Sequence, residues 1–183
     1  MSTRLRPLRD DEVAEYVPHL TTTYATELTE HLFLDAEAAA ARAERGATDA
    51  FPEGVAAPGH WLFAVEDGEG TRVGVLWLGD PFDGEPDALW VYDIEIDPDH
   101  RGRGLGRDTM LLAEAEARRL GRSRIKLNVF ARNAVARALY LSLGFEEMSV
   151  QMSKAVGEGG SPHQRVDDRP EEDDQQHRQG HGG

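Results

Sequence analysis

The spacing of apolar residues changes along the chain, and each spacing predicts a different kind of element. Between residues 12 and 32, apolar positions recur every three or four residues, which predicts an amphipathic helix. Pro18 falls inside this pattern and predicts a kink or a break between two short helices. Asp10 or Asp11 is placed to cap this helix, and Asp35 is placed to cap a second, alanine-rich helix.

Short β-branched and aromatic runs mark the middle of the chain and predict strands. HWLFAVED and TRVGVLWLGD are joined by GEG, which predicts a β-hairpin, and ALWVYDIEID, residues 88–97, predicts a longer strand. A first short strand is expected at RLRPL, close to the N-terminus. The chain therefore begins with a strand, two helices and a run of strands.

After residue 100 the apolar spacing alternates between helical and extended. GRDTMLLAEAEARRLG predicts a helix, RIKLNVFA a strand, and NAVARALYLSLG a helix capped by Asn133 and ended by Gly144. FEEMSVQMSKAV predicts a final strand. The unit from residue 88 to 130 is a strand–helix–strand crossover, which predicts a parallel strand pair within a mixed α/β domain.

Length and composition limit the class of protein. The 183 residues predict one domain, residues 1–156, and a disordered tail, residues 157–183, whose single aliphatic residue is Val166. No apolar run is long enough to span a membrane and no signal peptide is visible, so a cytoplasmic protein without a membrane partner is expected. The chain has no cysteine, which excludes disulfides and a cysteine nucleophile, and its scattered histidines predict no metal site.

Charge is distributed unevenly along the chain. The formal net charge is −14, which argues against a nucleic-acid partner. Residues 1–100 contain 6 basic and 22 acidic residues, whereas residues 101–137 contain 10 basic and 3 acidic residues. One basic segment in an acidic protein is either a solvated helix face or a docking site for a polyanion, and the acidic remainder can attract a cation.

The basic segment begins at a glycine-rich loop, DPDHRGRGLGRDTM, residues 97–110. Glycines, arginines and a helix N-terminus together predict an anion site. The loop lacks the lysine and spacing of a P-loop, and the dinucleotide fingerprint fails because position 107 is arginine. The remaining pattern, Arg-x-x-Gly-x-Gly, is met by Arg101, Gly104 and Gly106.

With these residues the chain resembles the GNAT superfamily of acetyl-CoA-dependent N-acetyltransferases. The resemblance covers about residues 60–155. VYDIEIDPDHRGRGLGRDTMLLAEAEARRLG is similar to the family's acyl-CoA-binding segment, and RIKLNVFARNAVARALYLSLGFEE is similar to its next segment, with the arrangement N-x-x-A-x-x-L-Y-x-x-x-G-F. The resemblance implies a mixed, mostly antiparallel sheet with one parallel crossover and helices on both faces.

The resemblance also implies acetyl-CoA as acyl-donor co-substrate, bound without a metal. The pyrophosphate would lie on the loop and helix N-terminus, and the pantetheine arm would lie along the splayed strand before the loop, where one N–H polarises the thioester carbonyl. Arg101 could equally hold the loop in shape by hydrogen bonding. The residues expected to contact the donor are Ile94, Glu95, Ile96, Arg101, Gly102, Arg103, Gly104, Leu105, Gly106, Arg107, Asn133, Ala136, Arg137 and Tyr140.

The family reaction is direct acyl transfer to a primary amine of a small molecule or a protein, through a ternary complex. The resemblance assigns Tyr140 as the acid that protonates the leaving thiolate, although it could simply pack beside the donor. The carboxylates of Glu95 and, as second choice, Asp93 are candidates for the base that deprotonates the amine. They share one strand face unless a bulge intervenes, and either could be a solvated strand residue.

The acceptor site is less evident from the sequence. Tyr24, Glu27 and His31 lie on one face of the first predicted helix. Aromatic strand residues could line a cleft or belong to the core, and these are Trp61, Trp77, Trp90 and Tyr92. A homodimer is possible, and the alternative function is a non-catalytic acyl-CoA-binding or sensing module.

Overall fold

A five-stranded sheet forms the centre of the first of two units into which the chain divides, Met1–Glu146 and Glu147–Gly183. The computed structural model describes residues 3–154, so the predicted disordered tail lies outside the described residues. The elements in chain order are β1 (Arg4–Pro7), α1 (Asp10–Leu32), α2 (Ala36–Ala50), β2 (His60–Glu66), β3 (Arg72–Gly79), β4 (Ala88–Ile96), α3 (Leu105–Arg119), β5 (Arg124–Leu127) and α4 (Ala134–Ser142). Short 3-10 turns occupy Pro52–Gly54 and Pro98–His100.

The strands lie side by side in chain order, from β1 to β5. The first three neighbouring pairs are antiparallel, and they include the predicted hairpin of β2 and β3. The β4–β5 pair is parallel, because α3 carries the chain back across the sheet between the two strands. The predicted mixed, mostly antiparallel α/β sheet is therefore confirmed.

Helices cover both faces of the sheet, each over its own apolar cluster. On one face α3 supplies a stripe of buried side chains at helical spacing, Leu105, Met110, Ala113 and Ala117, which was predicted from the sequence. On the other face α1 and α2 cover a second cluster, whose buried members are Tyr16, Ala50, Phe51, Leu62, Val75 and Trp77. No helix within residues 3–154 is long and apolar enough to cross a lipid bilayer.

The first helix differs from its prediction in two respects. α1 is one helix of 23 residues that continues through Pro18, so of the predicted alternatives, a kink or a break, the break is wrong. Side chains on both sides of the proline are buried, Tyr16 at 3% and Leu28 at 0% exposed, and this packing outweighs the local cost of a proline in a helix. The N-cap position belongs to Arg9 rather than to Asp10 or Asp11.

The capping predictions for the other helices are confirmed. The Asp35 carboxylate accepts a hydrogen bond from the Ala38 N–H at 2.8 Å, and the Asn133 side chain accepts one from the Ala136 N–H at 3.1 Å. α4 ends at Ser142, and Gly144 follows with φ of +88°.

Two predicted strands are shorter or missing. β5 contains only Arg124–Leu127, because the chain leaves the sheet before Phe130. The predicted last strand is wrong for residues 145–154, which have no regular secondary structure. The apolar alternation is present there, but Met148, Val150 and Met152 are 73–89% exposed, so no buried face stabilises an extended conformation.

Candidate functional site

The two parallel strands at the centre of the predicted site are paired along only the first part of β4. β4 and β5 are paired from Ala88↔Arg124 to Val91↔Leu127, and β4 then continues for five residues to Ile96. Along that stretch β4 stays paired with β3 on its other side. Within the described sheet, the edge of β4 that follows Val91 is therefore not covered by β5.

A β-bulge decides which side chains of β4 face which helices. Trp77 of β3 pairs with Asp93 and the adjacent Leu78 pairs with Val91, so Tyr92 is the extra residue. Before the bulge Val91 packs on the α3 face, and after it Ile94 does so. The bulge therefore puts Tyr92 and Asp93 on the same face, towards α1.

Asp93 is bonded to the first helix. Tyr16 of α1 is 3% exposed, and its hydroxyl donates a hydrogen bond to Asp93 Oδ2 at 2.7 Å. Burial raises the pKa of Asp93, while the Tyr16 hydrogen bond opposes that rise and the nearby Glu95 adds to it. Burial, together with the Asp93 carboxylate, raises the pKa of Tyr16 well above its usual value. This hydroxyl therefore stays protonated and holds Asp93 in place.

Glu95 has a different partner on the same helix. His19 Nε2 lies 3.0 Å from Glu95 Oε2, and the two side chains are 57% and 30% exposed. Glu27, two turns further along α1, has its pKa raised by burial, and the charges of Asp93, Glu30 and Glu95 raise it further. The predicted carboxylates of β4 thus share one face and lie within electrostatic range of the predicted acceptor residue Glu27.

Tyr140 lies on α4, in the apolar cluster of the other sheet face. It is 9% exposed, and its ring centroid is 5.6 Å from that of Phe145. Burial raises its pKa, and the charge of Asp93 raises it further, so the two groups interact electrostatically across β4. The phenol therefore keeps its proton at neutral pH, as a general acid must.

The arginines of the glycine loop are bonded to nearby protein groups. Arg101 Nε donates to Ile96 O at 2.8 Å, Arg103 Nη2 donates to Asp99 O at 3.1 Å, and Arg107 donates to the Ser142 hydroxyl of α4. The loop-shaping role that the sequence left open for Arg101 is therefore observed. The side chains of Arg101, Arg103 and Arg107 remain exposed at the surface.

The loop backbone adopts the conformation that its glycines permit. Gly102 and Gly104 have φ values of +75° and +82°, in the left-handed region, and Gly104 is the N-cap residue of α3. Gly104 O accepts hydrogen bonds from the N–H groups of Arg107 and Asp108. Leu105, which follows Gly104, is buried and anchors the start of α3 to the core.

The α4 residues assigned to the donor surround the start of that helix. Asn133 is its cap, Ala136 packs against the core, and Arg137 Nη1 reaches Ala131 O at 3.4 Å. Asn133 therefore has a structural function in addition to the one that the sequence motif implies.

The residues assigned to the acceptor do not form one group. His31 packs against Phe130 with ring centroids 4.5 Å apart and ring planes tilted by 34°, and its buried Nδ1 has no hydrogen-bond partner among residues 3–154. Tyr24 is half-buried on α1. Trp77 is 7% exposed and stacks on Tyr92 with ring centroids 4.6 Å apart. It therefore belongs to the core, which was one of the two interpretations offered by the sequence.

The other tryptophans lie further from α1 or on the opposite face. Trp90 is half-buried, with Phe82 at 5.0 Å between centroids and Lys126 Nζ at 5.9 Å from its ring. Trp61 packs with the cluster below α3 and α4, so it cannot share a cleft with Trp77. The four aromatic residues therefore do not line one common cleft, and Trp61 and Trp77 pack in the two apolar clusters, as the core interpretation expects.

Sequence reasoning missed two residues of this site, Tyr16 and His19. Tyr16 falls within the helical pattern of residues 12–32, but that pattern does not indicate the hydroxyl partner that a buried tyrosine needs. His19 follows at i+3, on the same helix face. Their partners are 77 and 76 residues away along the chain, which no local pattern could indicate.

Comparison with known proteins identifies relatives of the whole domain. The Acetyltransferase (GNAT) family model matches residues 18–145. The uncharacterized N-acetyltransferase YycN of Bacillus subtilis (strain 168) is 30% identical over 156 residues, which is 85% of this chain and 100% of YycN. The crystal structure of YycN aligns with a TM-score of 0.79 over 86% of this chain and 100% of that chain.

Two further relatives have named substrates. Mycothiol acetyltransferase of Beutenbergia cavernae is 35% identical over 147 residues, 75% of this chain and 48% of that protein. The ribosomal protein bS18-alanine N-acetyltransferase of Escherichia coli (strain K12) is 42% identical over 67 residues, 36% of this chain and 44% of that protein. Because the family model and YycN each cover most of the domain, this chain belongs to the acetyltransferase (GNAT) family.

Proposed function

We propose that this protein transfers the acetyl group of acetyl-CoA directly to a primary amine within a ternary complex. The observation that carries the proposal is the edge of β4 beyond Val91 that β5 does not cover, with Asp93 and Glu95 directed to one sheet face and Tyr140 packed on the other. A thioester lying along this edge would have a carboxylate on one side and a phenol on the other. The two proton transfers that acyl transfer to an amine requires can then take place at opposite faces.

The donor half of the proposal rests on the glycine loop. At the start of α3 the N–H groups of Arg107 and Asp108 already donate to Gly104 O. The N–H groups of the two preceding residues, Leu105 and Gly106, are therefore the ones offered to an anion. Three exposed arginines surround that position and favour a polyanion such as pyrophosphate. The backbone of Ile94–Ile96 would pair with the pantetheine arm, and one of its N–H groups would stabilise the oxyanion.

The chemical half assigns Glu95 as general base and Tyr140 as general acid. Glu95 is preferred over Asp93 because it is 30% exposed, whereas Oδ2 of Asp93 already accepts the Tyr16 hydrogen bond. Glu95 takes a proton from the ammonium form of the acceptor. As the C–N bond forms and the C–S bond breaks, the Tyr140 hydroxyl protonates the thiolate and recovers a proton from the attacking nitrogen.

The acceptor is proposed only as a primary amine of a small molecule or a protein. Glu27, Asp93 and Glu95 make its surroundings acidic, which favours a cationic amine. The two named relatives act on different acceptors according to their names, mycothiol and an alanine of a ribosomal protein, so they do not narrow the class further.

Thiol release from acetyl-CoA tests the proposal. The full chain is mixed with acetyl-CoA and each of four acceptors: spermidine, an aminoglycoside, a lysine-containing peptide and a peptide with N-terminal alanine. Turnover with at least one amine supports an acetyltransferase. Calorimetric binding of acetyl-CoA without turnover on a panel extended to further amines would instead support the acyl-CoA-binding module, and failure to bind acetyl-CoA would reject both.

Replacing the proposed acid tests the role of Tyr140. Tyr140→Phe removes the hydroxyl and keeps the ring, so kcat is expected to fall by about 10–100-fold with little change in the Kd of acetyl-CoA. Leu141→Ala, at an adjacent and exposed position of α4, is the control and should keep the wild-type kcat. An unchanged kcat for Tyr140→Phe would remove Tyr140 from the mechanism and leave it a packing role.

A further inference from the structure

We propose that His19 acts through Glu95 as a proton relay, which passes the proton taken from the acceptor amine from Glu95 to solvent. This inference rests on the proposed function, because it assumes that Glu95 is the base. His19 comes from α1, outside both motifs on which the family resemblance depends, and its role follows from its contact with Glu95 alone.

The contact has the geometry that proton transfer requires. His19 Nε2 and Glu95 Oε2 are 3.0 Å apart, within the range of a hydrogen bond. The exposed fraction rises from 30% at Glu95 to 57% at His19, so the imidazole leads from the carboxylate towards water. Histidine is the side chain best suited to this task, since it accepts and releases protons near neutral pH.

The neighbouring carboxylate has a contrasting partner. Asp93 is held by the Tyr16 hydroxyl, a donor whose raised pKa prevents it from accepting or releasing a proton at neutral pH. Tyr16 and His19 are on the same face of α1, and their partners lie two positions apart on the same face of β4. Of the two carboxylates, Glu95 is thus the one bonded to a group that can exchange protons with solvent.

The charged surroundings tend to retain a proton, because each carboxylate favours protonation of its neighbours. Tyr16 and Glu27 of α1 and Asp93 of β4 all interact with the Glu95 charge, and Tyr140 of α4 interacts with Asp93. β3 contributes an apolar residue at the paired position, Val75. The proton that Glu95 takes from the acceptor therefore needs a path out of this acidic group before the next turnover.

The proton balance is complete without a further reactant. The ammonium N–H bond breaks and an O–H bond forms on Glu95. Glu95 then gives this proton to His19 Nε2, in the tautomer that carries its hydrogen on Nδ1, and Nδ1 of the resulting imidazolium releases a proton to water. Exchange of the ring protons with water restores the starting tautomer of this exposed imidazole before the next turnover. The second nitrogen proton replaces the one that Tyr140 gives to the thiolate, so the products are the amide, the free thiol and one proton.

Two variants separate proton transfer from simple positioning. His19→Gln keeps an amide that can hydrogen-bond to Glu95 in either protonation state but cannot carry a proton, and His19→Ala removes both functions. With the best amine of the panel above, both variants should lower kcat about tenfold at pH 7 and below, with the KM for acetyl-CoA unchanged. The loss should become smaller at higher pH, where hydroxide is available to accept the proton in place of the imidazole. Thr23→Ala, exposed one turn further along α1, is the matched control.

Imidazole in the buffer provides a readout that a structural role would not affect. Added imidazole should restore most of the lost kcat of His19→Ala at constant pH, and should leave Thr23→Ala and the wild type unchanged. A double variant, His19→Gln with Glu95→Gln, should be no slower than Glu95→Gln alone, because the relay acts through Glu95.

The outcomes distinguish this inference from the function on which it rests. If the wild type acetylates an amine and Glu95→Gln abolishes turnover, but His19→Gln keeps the wild-type rate and pH profile, the relay is rejected and the proposed function stands. Full activity of His19→Gln together with a slow His19→Ala that imidazole does not rescue would show a purely structural contact. If Glu95→Gln itself retains full turnover, both the base assignment and the relay are rejected.

Discussion

The glycine loop and the α1-facing side of β4 adjoin the same strand but are built in different ways. Two of the three loop arginines make local bonds: Arg101 reaches a carbonyl five residues back, and Arg103 one four residues back, while Arg107 reaches Ser142 of α4. The bonds on the α1 side, to Asp93 and Glu95, join residues 77 and 76 positions apart. A local motif can therefore specify most of the loop, whereas the contacts on the α1 side exist only once α1 has packed on the sheet.

The two regions also differ in charge. Three exposed arginines surround the loop, while Glu27, Asp93 and Glu95 interact with one another on the α1 side. Such an arrangement favours a polyanionic donor at one end of β4 and a cationic acceptor beside its middle. If this division is correct, substitutions in one region should affect one substrate and leave the binding of the other unchanged.

The largest expected effect is on the acceptor side. Glu95→Gln keeps the size of the side chain but removes the proposed base, so kcat should fall by about 10²–10³-fold. The Kd of acetyl-CoA, measured by calorimetry, should stay within about twofold of the wild type.

Asp93→Asn is the matched comparison for Glu95→Gln, two positions away on the same strand face. A larger loss of kcat for Asp93→Asn than for Glu95→Gln, in two variants of equal stability, would exchange the roles of the two carboxylates.

The next effect concerns the donor side. Gly104 has φ of +82°, and alanine in that conformation costs about 1–2 kcal/mol. The strain would displace the loop, so Gly104→Ala should weaken acetyl-CoA binding about tenfold, while the KM for the amine changes little.

Gly46→Ala is the control for the glycine substitution. Gly46 lies within α2, and a Cβ atom added at this position would have no other atom within 4 Å. The Gly46→Ala variant should therefore bind acetyl-CoA normally, and its helix should be more stable by up to about 1 kcal/mol. Equal acetyl-CoA affinity of the Gly104→Ala and wild-type proteins would show that the loop conformation does not determine donor binding.

The smallest expected effect is on stability and concerns the support of α1. Glu12, in the first turn of α1, has a side chain 7% exposed and forms two hydrogen bonds at 2.9 Å with the Arg6 guanidinium of β1. The hydrogen bonds from Arg6 lower the pKa of Glu12 from 4.5 to about 2. Because the pKa is lowered on folding, the unfolded chain binds more protons, and the stabilisation present above about pH 4.5 is lost as the pH falls towards 2.

Thermal unfolding between pH 7 and 2 measures this contribution. The Tm of the wild type should fall by several degrees more in the window from about pH 4.5 to 2 than that of Glu12→Gln, which cannot titrate. Asp11→Asn, an exposed neighbour, is the control and should follow the wild type. Identical pH dependence in Glu12→Gln and the wild type would show that this ion pair does not anchor α1.

The sequence predicted the elements well where local signals were strong. The hairpin of β2 and β3, the long strand β4, the apolar stripe of α3 and the caps Asp35 and Asn133 are all confirmed, because period, turn residues and capping groups act within a few residues. It failed at Pro18 and at residues 145–154. In both places burial decided the outcome: buried contacts carry α1 through the proline, and exposed methionines leave the last segment without a strand.

The site divides in the same way. The residues of the glycine loop and the family to which the chain belongs could be identified from Arg101, Gly104, Gly106 and the α4 motif, since these interactions are local in the chain. The facing of Asp93 and Glu95 depended on a bulge at Tyr92 that no residue pattern indicated. Their partners Tyr16 and His19 depended on where α1 crosses β4, which is set by packing between elements far apart in sequence. The sequence alone thus determined the family and the loop, whereas the tertiary structure decided which carboxylate is held in place and which has a neighbour able to exchange protons.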